Sequence, residues 1–67
     1  MNKEALGERI KDRRKILKIR QEDLAEISGV ALRTVVSIER GEGNPSLETL
    51  LKIAAVLGME LQLNVKL

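Results

Sequence analysis

The side chains that most often carry out covalent or acid–base chemistry are missing from this sequence, which contains no His and no Cys. A disulfide is excluded, and no metal site is expected. The carboxylates are scattered as helix starts and ion-pair partners rather than gathered into a pair. Gly41-Glu42-Gly43 follows no strand, and its Glu would repel a phosphate, so it is not a phosphate loop. No catalysis and no cofactor are expected. What remains is the chemistry of recognition. Leu32, Arg33, Val36 and Ser37, with Thr34 and Arg40 at their flanks, fall on the outer face of one helix. Their polar groups are short hydroxyls and planar guanidiniums. Such a helix fits the major groove of duplex DNA.

The charge pattern bears on the partner. The net charge is only +2, but residues 1–20 hold eight basic side chains against three acidic ones. A basic end on a small domain suits a polyanion. The same pattern also suits a solvated helix face laced with i,i+4 ion pairs, so charge alone leaves both readings open. The sequence has no aromatic residue. Proteins that bind single strands or RNA usually stack bases on rings, so duplex DNA is the better match. No apolar run approaches the ~18 residues of a membrane span, and the N-terminus lacks the apolar core of a signal peptide. The expected location is cytoplasmic, at the nucleoid, with no membrane partner and no small-molecule ligand.

These side chains must be positioned by a single domain of 67 residues, 1–67, without repeats or linkers. A mainly α fold of four helices is expected. The first spans about 4–18, with Leu6, Ile10, Arg14 and Leu17 on one stripe. The second spans about 21–28, with Glu22 and Asp23 favouring its dipole and Leu24 and Ala25 facing inward. Gly29 ends it and allows a sharp turn. The third spans about 31–40, with Val35 and Ile38 inward and Val30 just before it. The fourth spans about 46–57, capped by Ser46, with Leu47, Leu50, Leu51, Ala54 and Leu57 on its apolar face. Ala25 is small enough for the third helix to cross the second closely. Two short helices joined through Gly29 in this way form a helix-turn-helix.

A domain this small is marginal alone and usually needs a staple. The tail supplies one. From Met59 onward apolar and polar residues alternate strictly: Met59, Leu61, Leu63, Val65 and Leu67 are apolar. The spacing predicts a strand over about 59–66 with one buried face. No other segment reads as a strand, so its partner lies outside the chain. The simplest partner is the same strand of a second copy, paired antiparallel in a twofold homodimer through Leu61, Leu63 and Val65. The alternative is a frayed terminus. Five apolar residues on one face favour pairing.

The stretch RQEDLAEISGVALRTVVSIERGEGNPSLETLLKIAAVLGMEL resembles the Cro/repressor-type helix-turn-helix family, also called the xenobiotic-response-element family. The matching motifs are Gln21-x-x-Leu24-Ala25, Gly29-Val30, Ile38-Glu39-x-Gly41, Asn44-Pro45-Ser46-x-x-x-Leu50 and Lys52-Ile53-Ala54. The resemblance implies a lambda-repressor-like domain. It implies that Gln21 bonds a DNA phosphate, aided by a helix N-terminus. It assigns Leu32, Arg33 and Ser37 to base edges, with Arg33 suited to guanine O6 and N7 and Leu32 to a thymine methyl. Thr34 and Arg40 become phosphate contacts, as do backbone amides near Gly43 and Asn44. Arg14 and Glu39 match a partly buried structural ion pair between the first and third helices.

Three positions depart from the family pattern. Arg20 replaces the usual Ser or Thr cap, and Val36 makes the reading face apolar. Arg13 replaces an apolar residue, so its stem is expected to cover the core while its head stays wet. The alternating tail further resembles HipB-like antitoxins, which implies a HipA-like toxin as a further partner.

Two functions follow, from different classes. The first is a dimeric, sequence-specific transcriptional repressor on a pseudo-palindromic double-stranded operator, with half-sites about 34 Å apart. The second is a protein-interaction adaptor that uses the same fold, docking through the apolar third helix and the tail.

Overall fold

The computed structural model describes residues 1–66 and contains four helices: α1 (Lys3–Ile16), α2 (Gln21–Ser28), α3 (Leu32–Glu39) and α4 (Leu47–Leu57). Each boundary has a local cause. The Asn2 side chain accepts a hydrogen bond from the Ala5 amide at 2.8 Å and starts α1. Ser46 accepts from Thr49 at 3.1 Å and starts α4 from just outside it. Gly29, at φ 74°, takes the left-handed conformation that ends α2, and its amide donates to Ala25.

α1 stops earlier than its apolar period suggests, at Ile16 instead of about 18. Lys18 adopts φ 58°, a left-handed conformation uncommon for a side chain with Cβ. The Lys18 amide donates to Lys15 and the Ile19 amide to Arg14, the paired bonds of a Schellman ending. Leu17 therefore leaves the helical stripe and is 40% exposed, while Ile19 packs partly against the core. α3 is one residue shorter at each end than the expected 31–40, because Ala31 is extended and Arg40 caps.

The core is aliphatic: Ile10, Leu24, Ala25, Val35, Ile38, Ile53 and Leu57, with Leu6, Ile19, Val30, Leu50, Val56 and Met59 packed around it. On α4 the buried face is Leu50, Ile53, Ala54 and Leu57, a clean i, i+3, i+4, i+7 stripe. Leu51 sits about 100° round the helix from Leu50, and it is exposed along with Leu47. Both fall outside the face that apolarity alone assigned them.

Gly7 is buried in α1 for a reason that lies in α3. A Cβ there would overlap the Ile38 carbonyl oxygen and stand 3.1 Å from that of Glu39. α1 and the last turn of α3 thus meet backbone to backbone. Arg13 gains a role its expected one did not include. Its Nε donates to the Leu57 carbonyl at 2.8 Å, so the half-exposed side chain also caps the C-terminal end of α4.

The described residues contain no strand. Residues 59–66 follow α4 without ladder pairing, and only the Met59 amide is tied back, to Ala54. Leu61 is exposed but touches the cleft lined by Leu6, Ile10, Leu50 and Ala54. Leu63 and Val65 stand fully in solvent. Leu67 lies outside the described residues. Among the described residues no other segment forms a strand that could pair with the tail.

Candidate nucleic-acid interface

α3 presents two unlike faces. Val35, Ile38 and Glu39 are buried against α1 and α2. Arg33 and Arg40 are exposed, Leu32 is 43% exposed, and Thr34, Val36 and Ser37 are half-buried at the sides. Arg33, Thr34 and Ser37 line one wall of a cleft whose other wall is the loop Glu42–Pro45. The Glu42 amide donates to the Ser37 carbonyl at 3.0 Å, which fixes that loop against α3. Thr34 and Ser37 are half-buried where they line this cleft. Glu42 lies in the same cleft and opposes an anion there.

The angle between α2 and α3 is held by Leu24, Ala25, Val30, Val35 and Ile38, which belong to one cluster. Behind them lies a polar clamp. Arg14 Nε donates to Glu39 Oε2 at 2.7 Å and Arg14 Nη2 to Oε1 at 2.9 Å, a bidentate pair whose side chains are 11% and 2% exposed. Arg14 Nη1 also donates to the Ile19 carbonyl at 2.9 Å. Hydrogen bonding to Glu39 raises the Arg14 pKa, outweighing the opposite effect of burial. Among the described residues no buried side-chain polar atom lacks a partner.

Gln21 sits at the first position of α2, half-buried, and its Nε2 donates to Glu39 Oε1 at 3.1 Å. This bond has no signature in local sequence, since the partners are 18 residues apart. Arg20, just before α2, has no acceptor to offer as a cap. The reciprocal half of a capping box forms instead, with the Arg20 amide donating to Asp23 Oδ2 at 2.8 Å. That backbone bond lowers the Asp23 pKa, and the Arg20 guanidinium near it adds to the effect. Arg20 remains exposed beside Gln21, a cation at a helix start.

Arg33, Thr34 and Ser37 thus share one cleft, Leu32 is exposed at the first position of α3, and Arg40 and the Glu39-bound Gln21 lie at its C-terminal end. Leu61, Leu63 and Val65 belong to the tail, which leaves α4 at Gly58 on the α1 side, where Leu61 meets Leu6 and Ile10. Among the described residues no group of His, Cys, Asp and Glu is arranged to hold a metal, and no helix is long and apolar enough to cross a membrane.

Comparison with known proteins places this arrangement. A family model described as helix-turn-helix matches residues 10–64. The chain is 44% identical over 57 residues to repressor protein C2 of Salmonella phage P22, an alignment covering 85% of this chain and 26% of the repressor. It therefore spans about a quarter of that relative's length. It is 43% identical over 51 residues to an uncharacterized HTH-type transcriptional regulator of Methanothermobacter thermautotrophicus, covering 76% of this chain and 74% of that one. Among solved structures, the restriction-modification controller protein C.AhdI from Aeromonas hydrophila matches with a TM-score of 0.82 at 36% identity, over 87% of this chain and 88% of that one. The relatives are regulators and not enzymes, and the chain belongs to the helix-turn-helix family of transcriptional regulators.

Proposed function

We propose that this protein is a homodimeric repressor that reads a pseudo-palindromic double-stranded DNA operator. The observation that carries this reading is the free outer face of α3, held rigidly from behind by Val35, Ile38 and Glu39. α3 enters the major groove. Leu32, Arg33 and Ser37 face base edges, with Arg33 gripping a guanine and Leu32 packing on a thymine methyl. Gln21, Thr34 and Arg40 bond phosphates on either side, and so set the register. The protein acts in the cytoplasm, at the nucleoid.

Binding to duplex DNA should weaken steeply as salt rises, because each neutralised phosphate releases counterions. Fluorescence anisotropy on a mixed-sequence duplex at rising salt checks this. No salt-sensitive binding at low salt would remove the DNA reading and leave the adaptor. Site selection from random duplexes then tests the reading face. Arg33→Ala should cost roughly 1–3 kcal/mol of discrimination at one guanine and relax the selected site there. A selected site unchanged by that substitution would refute the role of Arg33.

The dimer is formed by the tail, residues 59–66, pairing antiparallel with its copy and burying Leu61, Leu63 and Val65. The full exposure of Leu63 and Val65 in one chain supports this, since such an apolar edge invites pairing. Two linked reading heads give the avidity that one small domain lacks. Deletion of residues 60–67 should yield a monomer or an unfolded chain by sedimentation; a truncated protein that remains a stable dimer would sink the strand-paired interface. The narrower role, an antitoxin bound to a HipA-like toxin, rests on the likeness of the tail. It is lost if no kinase-like toxin is encoded beside this chain or binds it.

A further inference from the structure

Gln21 and Glu39 stand at opposite ends of the helix-turn-helix, the first residue of α2 and the last of α3. Their hydrogen bond is not needed to satisfy Glu39. Both carboxylate oxygens already accept from Arg14, at 2.7 and 2.9 Å, before Gln21 adds its bond at 3.1 Å. The added bond has a consequence for the amide itself. A glutamine amide donates at one end and accepts at the other, while a phosphate oxygen only accepts. A loose Gln21 would spend part of its time with Oε1 toward the phosphate, where like partial charges repel. A carboxylate also only accepts, so the Glu39 contact forms only with Nε2 turned toward it. The second N–H on the same nitrogen is then left for an acceptor outside. Fixing this long side chain before binding also removes part of the entropy cost of ordering it on DNA.

The charge of Glu39 does not spoil the arrangement. The bidentate bonds from Arg14 make the pair neutral toward the strand. A bare carboxylate this close to a phosphate would repel it.

We propose that Glu39 is a positioning residue for phosphate binding, holding the Gln21 amide in the one orientation that presents N–H to a DNA backbone. The inference rests on the proposed DNA-binding role, and its test separates the two. Affinity for a mixed-sequence duplex is measured for the full chain, Gln21→Ala, Glu39→Gln and the double variant. Gln21→Ala should weaken binding about tenfold for all sequences alike, the size of one hydrogen bond to a charged group. In the Glu39→Gln background the same change should cost less than about threefold, because an amide at 39 no longer selects one orientation. Equal penalties in both backgrounds would overturn the role of Glu39 while leaving DNA binding intact. An unaltered chain that fails to bind duplex at low salt would overturn both. A second measurement needs no variant. In the free protein the Gln21 side-chain amide should be as ordered as rigid backbone, with an NMR order parameter of about 0.85. A mobile amide, below about 0.6, would overturn the inference even if Glu39→Gln fails to fold.

Discussion

Glu39→Ala is expected to lower the unfolding free energy by roughly 3–5 kcal/mol, the usual cost of stranding one partner of a buried ion pair. The Glu39 side chain is only 2% exposed, and its loss leaves the Arg14 guanidinium in a site with 11% exposure and two donors unmatched. Water can hydrate part of that head, which keeps the cost below that of a fully enclosed charge. Native domains have about 5–15 kcal/mol in total, so a loss of this size removes between about a fifth and all of it. The cost arises from stranding the charge and does not measure the worth of the pair. An apolar double replacement, Arg14→Met with Glu39→Leu, should therefore recover much of the loss. Urea midpoints for the single and double variants decide this. A Glu39→Ala midpoint close to the parent's would mean that Arg14 finds water or another acceptor at little cost, and the clamp would not hold α1 to α3.

The second large effect is expected at Gly7. Helix propensity favours Ala over Gly by about 1 kcal/mol inside a helix, so a surface glycine here would be improved by the change. Sterics point the other way. The new methyl group would overlap the Ile38 carbonyl and crowd that of Glu39, and both are backbone atoms that cannot rotate aside. α1 must then move off α3. Overpacking of this kind costs typically 1–3 kcal/mol and more where backbone has to shift, so a net loss of about 3 kcal/mol is expected. For a domain of this size that is a fall in Tm of roughly 12–24 °C, readable by circular dichroism. A Tm equal to or above that of the parent would show that α1 and α3 do not approach so closely. The same displacement would tilt α3, so the Gly7→Ala variant should also lose affinity for duplex DNA at temperatures where it remains folded.

These two residues show what could be read from the chain and what could not. The pairing of Arg14 with Glu39 entered only through likeness to a family. The chemistry of the two side chains permits it, but nothing near either residue calls for it. Gly7 gave no signal at all. It lies inside a helical stretch, where a glycine ordinarily counts against the helix, and its reason is a carbonyl 31 positions further on. Arg13 stands where the family has an apolar residue, and nothing near it signals the bond its Nε makes, because the Leu57 carbonyl is 44 residues away. Leu17 and Leu51 were assigned inward on apolarity. Lys18 in a left-handed conformation removed the first, and the rotation of α4 on the core removed the second.

The features legible in the sequence were those set by interactions within one or two turns. Caps at Ser46 and Gly29, the apolar period of each helix and the turn between α2 and α3 depend on neighbours three or four residues apart, so they survive without knowledge of the packing. From them followed the four helices, the inward Val35 and Ile38, and hence an outward face on α3. The tertiary structure alone decided the rest: that α1 meets α3 through a missing side chain, that Arg13 closes α4, and that Gln21 turns its amide toward Glu39. Each of these needs two helices brought to within a few ångströms at one angle. That angle is the sum of many small packing terms across the aliphatic core, and no single stretch of sequence carries it.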